Sequence, residues 1–216
     1  IFGGLIGPRV GNLGGYPYIQ YIAPGIIMMA VITNSYANVV SSFFGSKFQK
    51  HIEEMLVAPI PDAVLLAGYV SGGVLRGLLV GLAVTGVALF FTDLHIAAPG
   101  VTLAMIVLTA TLFSLAGFVN GMYAKKFDDI SIIPTFVLTP LTYLGGVFYS
   151  IDMLPPFWHG VSLFNPVVYM VDAFRYGLLG TSELGIVHAF IVVGGCTIAL
   201  VVINLHLLAR GVGLKS

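Results

Sequence analysis

The residues able to do chemistry are few and far apart in this sequence. His51, His95, His159, His188 and His206 are scattered, without H-E-x-x-H spacing or any other close ligand set for a metal. No G-x-x-x-x-G-K-[ST] occurs, so there is no P-loop to cradle the phosphates of ATP. Asp128 and Asp129 are adjacent carboxylates with two readings, a metal pair or a solvated cap for the helix that follows. Asp152, His159, Asp172 and Arg175 share one polar stretch, from which acid–base chemistry could be built, although nothing in their spacing demands it. Arg76 stands in a long apolar run. Its donors must find carbonyls, water, or polar side chains such as Asn34, Asn38, Thr109 or Asn120. Two roles fit it, a structural staple between helices or a positive lining for an anionic substrate.

The elements that must position these residues are membrane spans. The chain has 216 residues, of which 58% are hydrophobic and only 8% charged. Its mean hydropathy is +1.02. A water-soluble domain carries about 25% charge. We therefore expect a single all-α polytopic membrane domain over residues 1–216. The formal net charge is zero, which gives no footprint for nucleic acid. One cysteine, Cys196, lies in an apolar run and allows no intrachain disulfide. The spans hold no carboxylate suited to a proton relay, which argues against a secondary transporter.

Apolar runs long enough to cross, roughly 20 residues each, fall at 19–44, 63–91, 100–123, 130–149 and 184–209. Pro24-Gly25 should break or kink the first of these. Residues 1–7 read as the end of an earlier span whose start is missing, giving six in all. Lys47, Lys50, Lys125, Lys126, Arg210 and Lys215 then fall on one side, against Arg9 and Arg175 on the other. The basic side is cytoplasmic.

Two segments stand outside this pattern. Residues 46–58 read as a short amphipathic helix, with Phe48, Ile52, Met55 and Leu56 on one stripe and Pro59 and Pro61 as stops. It would lie at the water boundary, touching lipid headgroups or a soluble partner. Residues 150–183 are too short and too broken to cross. Pro155-Pro156 and Asn165-Pro166 open two short helices that dip in and return on the outer side. Asp172 and Arg175 pair at i and i+3, and Phe148, Tyr149, Phe157 and Trp158 suit an interfacial aromatic belt. Gly68 and Gly72, then Gly73, Gly77 and Gly81, form two small-residue rows for helix packing, within the bundle or at a dimer seam.

The segments KFQKHIEEMLVAPIP, LFSLAGFVNGMYAKKFDDISIIPTFVLTPLTYLGGVFYS and LPPFWHGVSLFNPVVYMVDAFRYG resemble the membrane subunit of type-2 ABC exporters. The resemblance implies a bacterial inner-membrane permease of six spans, here with its first span truncated. It implies a second copy of the chain and two separate ABC ATPase subunits, with no cofactor in this chain because the partner binds ATP. Residues 46–58 would be the coupling helix, with Lys47, Lys50, Glu53 and Glu54 toward the ATPase. Residues 155–164 and 166–180, with Trp158, Asp172 and Arg175, would form an outer gate region. Membrane lipids complete the expected partners. The cargo could be a drug, a lipid or a glycan. The alternative reading is an intramembrane enzyme of lipids or glycans working through the outer loop.

Overall fold

The protein is described by a computed structural model over residues 11–52, 54 and 60–213. A small hairpin comes first, β1 (Asn12–Leu13) paired antiparallel with β2 (Tyr16–Pro17). Its two-residue turn needs positive φ at both positions, and Gly14 (56°) and Gly15 (85°) supply it. Everything after is helical: α1 (Tyr18–Phe48), α2 (Asp62–Ala88), α3 (Pro99–Tyr123), α4 (Asp129–Ile133), α5 (Thr139–Tyr143), α6 (Pro156–Ser162), α7 (Pro166–Leu179) and α8 (Ile186–Ala209). Among the described residues α1, α2, α3 and α8 are long and apolar enough to cross a membrane. The fold is all-α and polytopic. The expected first span at residues 1–7, with Arg9, and the tail residue Lys215 lie outside the described residues.

Helix α1 is the centre of the bundle. Ile27, Met28, Ile32, Tyr36 and Val40 are buried from it against Met105, Leu112 and Phe113 of α3 and Val167, Val171 and Phe174 of α7. Pro24 lies inside α1 without ending it. Gly25, beside it, lets the backbone of Val147 approach, since a Cβ there would meet Val147 Cα and O at 2.8 Å. The glycine rows of α2 divide cleanly. A Cβ on Gly73, Gly77 or Gly81 would run into Val39, Ser35 or Val31 of α1, so that row is an intramolecular seam. Gly68 faces open space, and Gly72 meets only Asn38.

Three expectations are corrected. Helix α1 continues through Gly45 and Ser46 to Phe48, so the proposed amphipathic helix does not begin at 46. Lys50, at φ 62°, makes the break, with its N–H on the carbonyl of Lys47. Phe48 thus belongs to α1 and is exposed, whereas Ile52 lies beyond the break and is buried. Glu53 and residues 55–59, including Met55 and Leu56, lie outside the described residues. The second correction concerns the run 130–149. Its helix is α4, a π-helical turn (Pro134–Leu138) and α5, ending at Tyr143. Pro140 removes one amide donor, and the ladder widens so that the Thr139 N–H reaches Pro134 O. Gly146, at φ 70°, turns the chain away before Tyr149. The third correction is the Asp172–Arg175 pair, taken up with its surroundings below.

Candidate functional site

Helix α7 is a 14-residue element buried almost throughout, which its two ends make possible. Asn165 Oδ1 accepts the Val167 N–H at 3.0 Å, as expected of a cap, and its Nδ2 donates to Leu141 O at 2.7 Å. Gly180 closes the helix at φ 78°. Between these ends Asp172 and Arg175 are 1% and 2% exposed, and they do not pair. The Asp172 carboxylate accepts from Ser182 Oγ at 2.6 Å and from the N–H groups of Glu183 and Leu184 at 2.8 and 3.1 Å. Arg175 turns the other way. One Nη donates to Gly146 O at 2.8 Å, and the guanidinium lies 3.9 Å from the Tyr21 ring centroid. The loop amides supply enough donors for the carboxylate and the carbonyls enough acceptors for the guanidinium, so each charge is satisfied without the other.

Two residues that sequence reasoning passed over complete this cluster. Glu183 Oε1 accepts from Tyr21 Oη and from Ser150 Oγ, both at 2.7 Å, while Oε2 accepts the Ile151 N–H at 3.2 Å. Tyr21 therefore bridges Arg175 and Glu183. The cluster ties the start of α1, the loop after α5, α7 and the start of α8. Trp158 lies outside the cluster, exposed and packed edge-on to Phe157 at 5.4 Å. Asp152 and His159 approach at 3.9 Å on the exposed loop.

At the opposite end of α1, Lys47 Nζ donates to Met122 O at 2.8 Å and Ala124 O at 2.9 Å. A cation on the last carbonyls of α3 answers both their unmet valence and the helix dipole. Beside it lies a cleft of about 670 Å³ walled by Phe44, Phe48, Tyr123, Lys50 and Lys125. Glu54 is exposed near the same end. In the turn from α3 to α4, Asp129 Oδ2 accepts the N–H groups of Lys125 and Lys126 at 2.8 and 3.0 Å. Those bonds hold its carboxyl below the usual range, so Asp129 closes the turn before it, while Asp128 makes no side-chain cap bond to α4.

Arg76 contradicts the staple. It is exposed on α2, and among the described residues no hydrogen bond or ion pair reaches it. Asn34 donates to Ala30 O and Asn120 to Ile130 O instead. Thr33 of α1 and Thr135, Thr139 and Thr142 line a cleft of about 190 Å³.

Comparison with known proteins gives the family. The family model described as ABC-2 type transporter matches residues 1–179. The chain belongs to the ABC-2 type transporter family. It is 57% identical over 216 residues to the inner membrane transport permease YadH of Escherichia coli (strain K12), covering all of this chain and 84% of that protein. It is also similar to nodulation protein J of Rhizobium leguminosarum bv. viciae, 25% identical over 195 residues, or 87% of this chain and 75% of that one. As an ABC-2 family member the chain is a membrane transport subunit rather than a catalyst. Asp172, Arg175 and Glu183 are then residues of a helical joint, each already bonded within the chain.

Proposed function

We propose that this chain is one half of an ATP-driven exporter in a bacterial inner membrane, two copies of it working with two separate ATPase subunits. The observation that carries the reading is the continuity of α1. This single 31-residue helix holds Tyr21 in the Arg175–Glu183 cluster at one end and Lys47 on α3 at the other. At about 1.5 Å per residue it reaches roughly 46 Å, more than a hydrocarbon core of about 30 Å. In this reading a push delivered at the Lys47 end of α1 passes to the outer joint along one continuous helix. The absent P-loop fits ATP binding by a partner, and the name of the similar Escherichia coli permease supports the inner-membrane location.

The test is reconstitution in proteoliposomes with a co-expressed ABC ATPase. The chain alone should hydrolyse no ATP, and the complex should do so. Reversing Glu53 and Glu54 together to lysine should weaken assembly or uncouple it, because repulsion replaces attraction at two adjacent sites. Normal assembly and coupling in that double variant would overturn the assignment of the segment. ATPase activity in a homogeneous preparation of the chain alone would overturn the division of labour.

A further inference from the structure

Arg76 lies 14 residues beyond Asp62, roughly 21 Å along α2, past the middle of a core about 30 Å thick. Facing lipid there is costly for a guanidinium, which favours a polar partner. Its position relative to α1 follows from the glycine seam. Gly73 meets Val39, Gly77 meets Ser35 and Gly81 meets Val31, an antiparallel register in which Gly72 stands by Asn38. One turn on from Gly72, Arg76 stands level with Asn34. Of the polar residues along this strip of α1, Thr33 and Ser41 are exposed, while Asn34 and Asn38 are half-buried.

The hydrogen bonds of that strip set its character. Thr33, Asn34 and Ser41 spend donors on carbonyls of their own helix, Met29, Ala30 and Ala37. What they turn outward is acceptor capacity, the Asn34 Oδ1 and the hydroxyl lone pairs. Arg76 adds up to five donors and a positive charge. No carboxylate answers it. Asp62 begins α2, Asp93 follows it, and no other Asp or Glu of the sequence falls within α1, α2, α3 or α8. The same four helices of a second copy bring none either.

We propose that Arg76, with Asn34 and Asn38, forms a cargo site for an anionic, hydroxyl-bearing group, a phosphate or carboxylate carried on glycerol or sugar. The guanidinium takes the anionic oxygens, and the amide oxygens and hydroxyl lone pairs accept from the cargo's hydroxyls. The assignment rests on the exporter reading, since a cargo is needed to bring the anion.

The test uses the purified chain in neutral detergent, so it does not depend on ATPase coupling. Binding of lysophosphatidic acid, soluble glycerol 3-phosphate and lysophosphatidylcholine is measured by native mass spectrometry and by titration. Lysophosphatidic acid should bind at least tenfold more tightly than lysophosphatidylcholine, and the preference should fade with added salt. Glycerol 3-phosphate binding with comparable affinity assigns a soluble cargo; its failure beside a bound lysolipid assigns a lipid-borne one. Arg76→Gln should abolish the preference with the thermal midpoint unchanged, Arg76→Lys should keep part of it, and Asn34→Leu should weaken it. Equal binding of both lysolipids, no binding of any probe, or a preference that survives Arg76→Gln overturns the proposal. Collapse of Arg76→Gln together with a folded Arg76→Lys that retains no preference overturns it too.

Discussion

The Arg175 guanidinium carbon lies 3.9 Å from the centroid of the Tyr21 ring, and that ring's hydroxyl donates to Glu183 at 2.7 Å. A phenol is thus set between a cation on its face and an anion at its edge. The arrangement lets one side chain of α1 hold two opposite charges, one from within α7 and one from the loop that leads to α8.

The two contacts can be separated by mutation. Tyr21→Phe keeps the ring under the guanidinium and removes a hydrogen bond to a charged acceptor, a loss of about 1.5–3 kcal/mol. Arg175→Met removes the cation–π contact, worth up to about 2 kcal/mol when desolvated, and also leaves Gly146 O without its donor. Thermal unfolding in detergent should rank wild type above Tyr21→Phe and Tyr21→Phe above Arg175→Met. Equal midpoints for all three would show that the cluster does not hold the ends together.

Packing on α2 gives a second expectation. Gly77→Ala would place a Cβ against Ser35 Oγ, and Gly73→Ala one against Ser114 Oγ and Val39 Cγ2. Overpacking of this kind costs about 1–3 kcal/mol. Gly68→Ala meets nothing within 4 Å and should be neutral or mildly stabilising, because alanine is the better helix former. The same melting assay decides it, and matching losses at Gly77 and Gly68 would contradict the seam.

How far the sequence carried the fold depends on whether the signal was local. Most of the apolar runs, the Pro166 start and the Asn165 cap act on neighbouring residues, and they were legible. The left-handed Lys50 was not, because nothing in QKH forbids the helix from running on; Lys47 reaching across to α3 is a tertiary event. Asp172 and Arg175 were read as a pair, and the structure separates them. The i, i+3 spacing favoured a pair, but their partners lie 10 to 154 residues away along the chain. Tyr21 and Glu183 were invisible for the same reason. Arg76 was legible as unusual, while its exposure required knowing which side of α2 carries the glycine seam.

The turn from α3 to α4 should show its own pH dependence. Asp129 is held below the ordinary carboxylate range by the N–H groups of Lys125 and then Lys126. A folded value below the unfolded one, about 3.9, means the stabilisation is fully present above that pH. It is lost only as pH falls through the lower folded value. Protection of the Lys125 and Lys126 amides, measured by hydrogen exchange and corrected for intrinsic rate, should therefore hold constant from neutral pH to about pH 4 and drop below it. Asp129→Ala should remove the protection at every pH. Loss of wild-type protection already well above pH 4 would contradict the capping role.

Orientation offers the last expectation. The basic residues Lys47, Lys50, Lys125 and Lys126 gather at the end of the bundle where α1 stops and α3 meets α4. Cytoplasmic loops hold the excess of lysine and arginine, so this end should face the cytoplasm and the α6 loop the opposite side. Lys126 and Asp152 are both exposed, which makes their positions readable by a membrane-impermeant thiol reagent once Cys196 is replaced by serine. Lys126→Cys should label only in inside-out vesicles and Asp152→Cys only in right-side-out ones. Because α1 joins the two ends, the pair of results is coupled. Labelling of Lys126→Cys from outside would invert the whole chain, placing residues 51–54 beyond reach of any cytoplasmic ATPase, and the exporter reading would fall with it.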